Sequence, residues 1–94
     1  MKFDRADFHR ANGTSLQGYI DATYGQLVDL FGPPDAGGDK TQAEWCLEFE
    51  DGTISTIYDW KELSPPELVT DWHVGGFGKR AVILVIDSIA IGRA

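Results

Sequence analysis

Two short segments hold most of the side chains that could do chemistry: Thr56-Ile57-Tyr58-Asp59-Trp60-Lys61 and Asp71-Trp72-His73-Val74-Gly75-Gly76. Residues 56–76 contain two of the three tryptophans and one of the two histidines. Each segment sets a flat ring beside ionisable groups, and the second ends in a glycine pair. Aromatic faces stack on planar ligands. Paired glycines let backbone N–H groups come close to a ligand. The combination suits a nucleotide-like ligand better than a proteolytic or metal site.

Catalytic sets are hard to assemble from the rest. Asp71 stands two residues before His73, so a strand would put both on one face, but no Ser or Cys nucleophile accompanies them. Cys46 lies mid-strand with no basic neighbour in sequence, so nothing lowers its thiol pKa. A metal site needs further His or Cys ligands, and His9 lies in the N-terminal segment. The expectation is no catalytic residue, no metal and no cofactor.

Lys79 and Arg80 follow the glycine turn Gly75-Gly76-Phe77-Gly78 and precede an apolar run. A glycine turn entering a helix offers free N–H groups to a phosphate. Cations there oppose the helix dipole, which is tolerable if they serve an anion; otherwise they are two solvated cations flanking a buried segment. The candidate ligand set is therefore Tyr24, Trp60, Trp72 and His73 for stacking, Gly75 and Gly76 for close approach, and Lys61, Lys79 and Arg80 against phosphate charge.

The elements that must position these residues can be read along the chain. Residues 1–13 are polar and mixed and read as a loosely ordered arm; residues 14–94 form one domain. Ser15 to Ile20 suggests a short strand with Leu16 and Tyr19 on different faces. Thr23 to Gly32 is a helix: Thr23 and Gln26 make a capping box, and Leu27, Leu30 and Phe31 form an apolar stripe. Gly32 and Pro33-Pro34 end it. Gln42 to Glu50 alternates strictly, and Asp51-Gly52 signals a two-residue hairpin turn. That turn pairs Phe49 with Ile54, Leu47 with Thr56, Trp45 with Tyr58 and Ala43 with Trp60 on one face. Glu44, Glu48, Glu50 and Asp59 fall on the other. Thr70 to Val74 reads as a strand and the glycines after it as a turn. Lys79 to Ile91 reads as a helix by length. The fold class is α+β: a single small domain, its antiparallel sheet built on a central hairpin with two helices on one face.

Composition narrows the function classes. A 43% hydrophobic and 24% charged chain argues against wholesale disorder. One cysteine excludes an internal disulfide. The net charge of −7 disfavours direct binding of nucleic-acid polymers, although a small anion needs only a few local cations. The N-terminus lacks an apolar leader, and the run Ala81–Ile86 is far short of the ~20 residues of a membrane span. A cytoplasmic location and no membrane partner are expected. That run is also apolar nearly all round, which predicts a homo-oligomer.

Further segments extend the pattern. Gly18-Tyr19-Ile20 with Thr23-Tyr24, Phe31-Gly32-Pro33, Lys40-Thr41-Gln42-Ala43-Glu44-Trp45, Asp51-Gly52-Thr53 and the two tryptophan segments run in an order that resembles a family of small tailed-phage proteins. The resemblance covers roughly residues 15–86 and is most specific in the two tryptophan segments. It is to viral sponges that sequester cyclic nucleotide immune signals, the anti-CBASS proteins. It implies a phage origin, action in the host cytoplasm, a cyclic dinucleotide ligand, oligomerisation and no catalysis. It assigns no individual ligand contact. The alternative is an acidic protein-interaction inhibitor of a host nucleic-acid-binding defence enzyme, supported by the −7 charge and the acidic sheet face.

Overall fold

The computed structural model describes residues 1–93. Six antiparallel strands form one sheet: β1 (Phe3–Arg5), β2 (Ser15–Asp21), β3 (Asp35–Ala36), β4 (Ala43–Phe49), β5 (Ile54–Tyr58) and β6 (Asp71–Gly76). The spatial order is β1-β4-β5-β6-β2, and β3 pairs with β4 beyond the end of β1. Two helices, α1 (Tyr24–Phe31) and α2 (Arg80–Arg93), cover one face. The α+β class expected from the sequence is the one found.

Helix α1 forms as its sequence dictates. Thr23 accepts from the Gln26 N–H and the Gln26 side chain accepts from the Thr23 N–H, closing the capping box. Gly32 ends the helix at φ 87°, a value that favours glycine. Leu27 and Phe31 are buried and Leu30 packs at the margin of the core.

The central hairpin has the expected strands but a different register. The Gly52 N–H donates to Phe49 O at 2.8 Å, and the Phe49 N–H donates to Thr53 O at 2.9 Å. Gly52 sits at φ 90°. This is a three-residue loop, the kind in which a type I turn is closed by a left-handed glycine. One extra loop residue shifts the pairing by one. Trp45 stands opposite Ile57, Leu47 opposite Ser55, and Glu44 opposite Tyr58. Because side chains alternate, the shift sends every residue of β5 to the face opposite the expected one.

The core face therefore carries Ala43, Trp45, Leu47, Phe49, Ile57, Trp72 and Val74, all buried with the helix stripes. Asp59 also turns to this side. It is buried and accepts from the backbone N–H groups of Gln42 (2.7 Å) and Ala43 (3.1 Å). The expected acidic face of Glu44, Glu48, Glu50 and Asp59 is thus broken. Of its members, Glu48 pairs with Arg10 at 2.9 Å.

The N-terminal segment is not a loose arm. Phe3–Arg5 pairs with Phe49–Leu47 as an edge strand. The Phe3 ring packs edge-on against Phe31 (5.0 Å) and Phe49 (5.9 Å). One aromatic in a polar stretch supplies the anchor. Arg5 then donates to Phe31 O and Pro33 O and pairs with Asp35, tying β1 to the end of α1 and to β3. From β1 the chain crosses the sheet's outer face through a 3-10 turn at Phe8–Ala11 to reach β2 on the far edge.

Two local irregularities shape the sheet around β6. The register slips between Leu16 and Gly18, so Leu16 lies opposite Gly75 and Tyr19 opposite His73. A one-residue bulge of this kind places Leu16 and Tyr19 on the same face, not on different faces as expected. Gly75 and Gly76 continue β6 and do not form the expected turn. A Cβ on Gly76 would lie 2.4 Å from the Ala81 Cβ of α2, and one on Gly75 would lie 2.5 Å from Thr56 Oγ1. Both glycines are required by packing.

Candidate functional site: the aromatic outer face

The face turned away from the helices carries a row of rings. Register places Tyr19, His73, Tyr58 and Glu44 side by side across β2, β6, β5 and β4. The Tyr19 edge meets the His73 ring at 4.9 Å, and His73 lies 5.4 Å from Tyr58 at an interplanar angle of 31°. Trp60, just past β5, continues the row, edge-on to Tyr58 at 6.3 Å. Trp60 is 44% exposed and Tyr19 56%. Exposed rings at the two ends of the row, with half-buried His73 and Tyr58 between them, are a surface on which planar rings can lie.

Cations flank the row at its Trp60 end. Lys40 Nζ and Lys61 Nζ lie 5.6 Å and 5.9 Å from the Trp60 ring centre, within cation–π reach. Lys61 holds φ 52°, the left-handed region that side chains other than glycine seldom adopt. Its N–H donates to Lys40 O at 2.7 Å, which fastens the two cation-bearing loops to each other.

Beside the row runs a groove of about 250 Å³. Thr41, Glu44, Thr56, Tyr58 and Trp60 line it from the hairpin and its flank, Gly75 from β6, and Phe8, Thr14 and Leu16 from the crossing segment and β2. The glycine at position 75 keeps this part of the face low. Burial pushes the Tyr58 phenol above its ordinary value, and the neighbouring Tyr19 and Glu44 add to the rise. His73 Nδ1 is buried and has no hydrogen-bond partner among the described residues.

The structure divides the expected site residues into three groups. Trp60, Lys61, His73 and Gly75 come together on the outer face. Trp72, Tyr24 and Gly76 belong to the helix side. Trp72 is fully buried, touches Trp45 at 5.4 Å and Tyr24 at 6.4 Å, and donates its indole N–H to Ala22 O. It offers no face to a ligand. Tyr24 is half-buried against the same two tryptophans.

Lys79 and Arg80 form the third group and already have protein partners. The Lys79 amine donates to Gln17 O. Arg80 Nε donates to Asp51 Oδ2 at 2.7 Å, pinning α2 to the hairpin loop. The next N–H groups of α2 after Arg80 are also engaged, Ala81 with Gly78 O and Val82 with Lys79 O. The phosphate cradle expected there is thus closed by in-chain bonds.

Sequence reasoning missed Tyr19 and Glu44 as neighbours of His73 and Tyr58. Tyr19 reaches the row only through the pairing of β2 with β6 and the bulge before it, and Glu44 only through the one-residue hairpin shift. Among the described residues no group of three or more His, Cys, Asp or Glu is placed to hold a metal ion. Among the described residues no helix is long and apolar enough to cross a membrane. No protein-family model, no curated protein and no solved structure matches the chain.

Proposed function

We infer that this protein binds a base-bearing small molecule on its aromatic outer face and retains it unchanged. On the resemblance to the phage sponges, that molecule is a cyclic dinucleotide immune signal, sequestered in the host cytoplasm. The observation that carries the reading is the aligned row Tyr19–His73–Tyr58, extended by Trp60 with two lysines beside it. A sheet that needed only solubility on this face would present polar side chains. Stacking on such rings contributes about 1–3 kcal/mol per base, and the lysines offset phosphate charge.

The acidic-inhibitor reading keeps the net charge of −7 but has a smaller acidic face, with Asp59 buried and Glu48 paired with Arg10. The homo-oligomer remains part of the proposal, because α2 presents Ile83 and Ile86 at 53% and 48% exposure. Light scattering at micromolar concentration checks it. The function is tested by mixing the protein with cyclic dinucleotides, removing free ligand, and heating. Intact dinucleotide released on heating supports a sponge. Degraded ligand would point to an enzyme, and no retained ligand would remove the reading.

A further inference from the structure

Glu44 is the one carboxylate lining the groove, and no lysine, arginine or histidine lines it with Glu44. It stands next to Tyr58 in the aromatic row. The Thr41 hydroxyl donates to Glu44 Oε1 and fixes the carboxylate, while Oε2 takes no protein donor among the described residues. None of the ion pairs among the described residues involves Glu44. A half-buried carboxylate beside ring faces, without a cation, is complemented by a ligand that brings its own N–H donors.

The nucleobases differ sharply in that respect. The Watson–Crick edge of guanine presents two adjacent donors, N1–H and N2–H, spaced to meet the two oxygens of one carboxylate. Adenine and cytosine each present one donor beside a bare lone pair. Uracil sets its single N–H between two carbonyl oxygens. A carboxylate therefore takes both N1–H and N2–H of guanine, clear of its O6, and meets lone-pair repulsion beside the single donor of each of the others. Oε1 can take a second donor in addition to Thr41, since a carboxylate offers about four lone-pair sites.

Resting on the base-stacking reading, we propose that Glu44 makes this groove a guanine site. A guanine ring laid against Tyr58 and Trp60 donates N1–H and N2–H to the Glu44 carboxylate, and Lys40 and Lys61 supply the positive charge for the attached phosphate. Glutamine at this position keeps the shape and the bond to Thr41. It replaces one acceptor by a donor, which faces a guanine donor.

The test is calorimetric titration of the wild-type protein and of Glu44→Gln with cyclic di-GMP and with cyclic di-AMP. Circular dichroism confirms that the variant is folded. The wild type is expected to bind cyclic di-GMP about 10–100-fold more tightly, the range of a charge-assisted hydrogen bond. Glu44→Gln is expected to lose most of that preference, binding cyclic di-GMP more weakly and cyclic di-AMP more tightly, because the amide donates to the adenine lone pair that the carboxylate repels. Equal wild-type affinities, or a guanine preference that survives Glu44→Gln, would overturn the guanine assignment and leave the stacking reading standing. Binding of neither dinucleotide would remove the stacking reading, and this assignment with it.

Discussion

Tyr58 and His73 face each other across β5 and β6, their ring centroids 5.4 Å apart and their planes inclined by 31°. Tyr19 closes the other side of His73 at 4.9 Å. Within this slot His73 Nδ1 is buried and has no partner among the described residues. A buried polar atom without a partner costs about 1–3 kcal/mol. His73→Phe keeps a flat ring between the two tyrosines and removes the orphaned nitrogen. It is expected to raise stability by about 1 kcal/mol, read as a higher urea midpoint at unchanged slope. A lower midpoint would mean that the nitrogen is bonded in solution.

The hairpin register makes a second prediction, because it puts Trp45 and Tyr58 on opposite faces. Trp45 is fully buried, packs on Trp72, and donates its indole N–H to Gly32 O at 2.8 Å. Trp45→Ala is expected to cost about 3–5 kcal/mol, a large part of the 5–15 kcal/mol on the order of which small domains are stable. Tyr58→Ala removes a half-buried ring from the outer face and is expected to cost about 1–2 kcal/mol. Equal losses in parallel urea titrations would return the two residues to one face.

How far the sequence could be read depends on which physical signals are local. The capping box of α1 rests on Thr23 and Gln26, three residues apart, and it forms as expected. Strand alternation in β4 is also local, and the core set Ala43, Trp45, Leu47 and Phe49 was legible. The turn was not, because Asp51-Gly52 serves both a two-residue loop and the last part of a three-residue one. The choice between them depends on which face of β5 the sheet must bury. Ser55 is buried and donates to Ala81 O, and Asp59 binds two backbone N–H groups. These polar residues sit on the core side because long-range partners satisfy them, which alternation of hydrophobicity cannot reveal. Type and proximity in sequence group Trp60, Lys61, His73 and Gly75, and the fold brings these four to one face. Trp72 was misjudged because a tryptophan suits a core as well as it suits a ligand.

Acid titration gives a third prediction. The Asp51 carboxyl is held down to about 2 from 3.8, chiefly by the Thr53 backbone N–H, then by the Thr53 side chain and by Arg80. The folded form therefore binds this proton less tightly than the unfolded chain does. Its contribution to stability is complete above about pH 4 and is lost as the pH falls through about 2. Asp51→Asn is expected to lower the urea midpoint at neutral pH, with the gap to wild type closing towards about pH 2. A gap independent of pH would place the effect in loop geometry and not in charge.

The last prediction places ligand affinity at the Trp60 end of the row. Trp60 is 44% exposed, so Trp60→Ala should change stability by less than about 1 kcal/mol. Lys61 sits at φ 52°. Lys61→Gly relieves a left-handed backbone that costs other residues roughly 1–2 kcal/mol, against a glycine entropy loss of about 0.5–1 kcal/mol. The double variant should thus remain folded with near wild-type stability. It removes a stacking ring worth about 1–3 kcal/mol and a charge-assisted bond worth about 1.5–3 kcal/mol. Cyclic dinucleotide affinity is then expected to fall by roughly two to four decades. Trp72→Ala makes the contrasting control: its ring is fully buried, so it should lose binding only by losing the fold. Calorimetry on a folded Trp60→Ala/Lys61→Gly protein that retained wild-type affinity would move the ligand off this face.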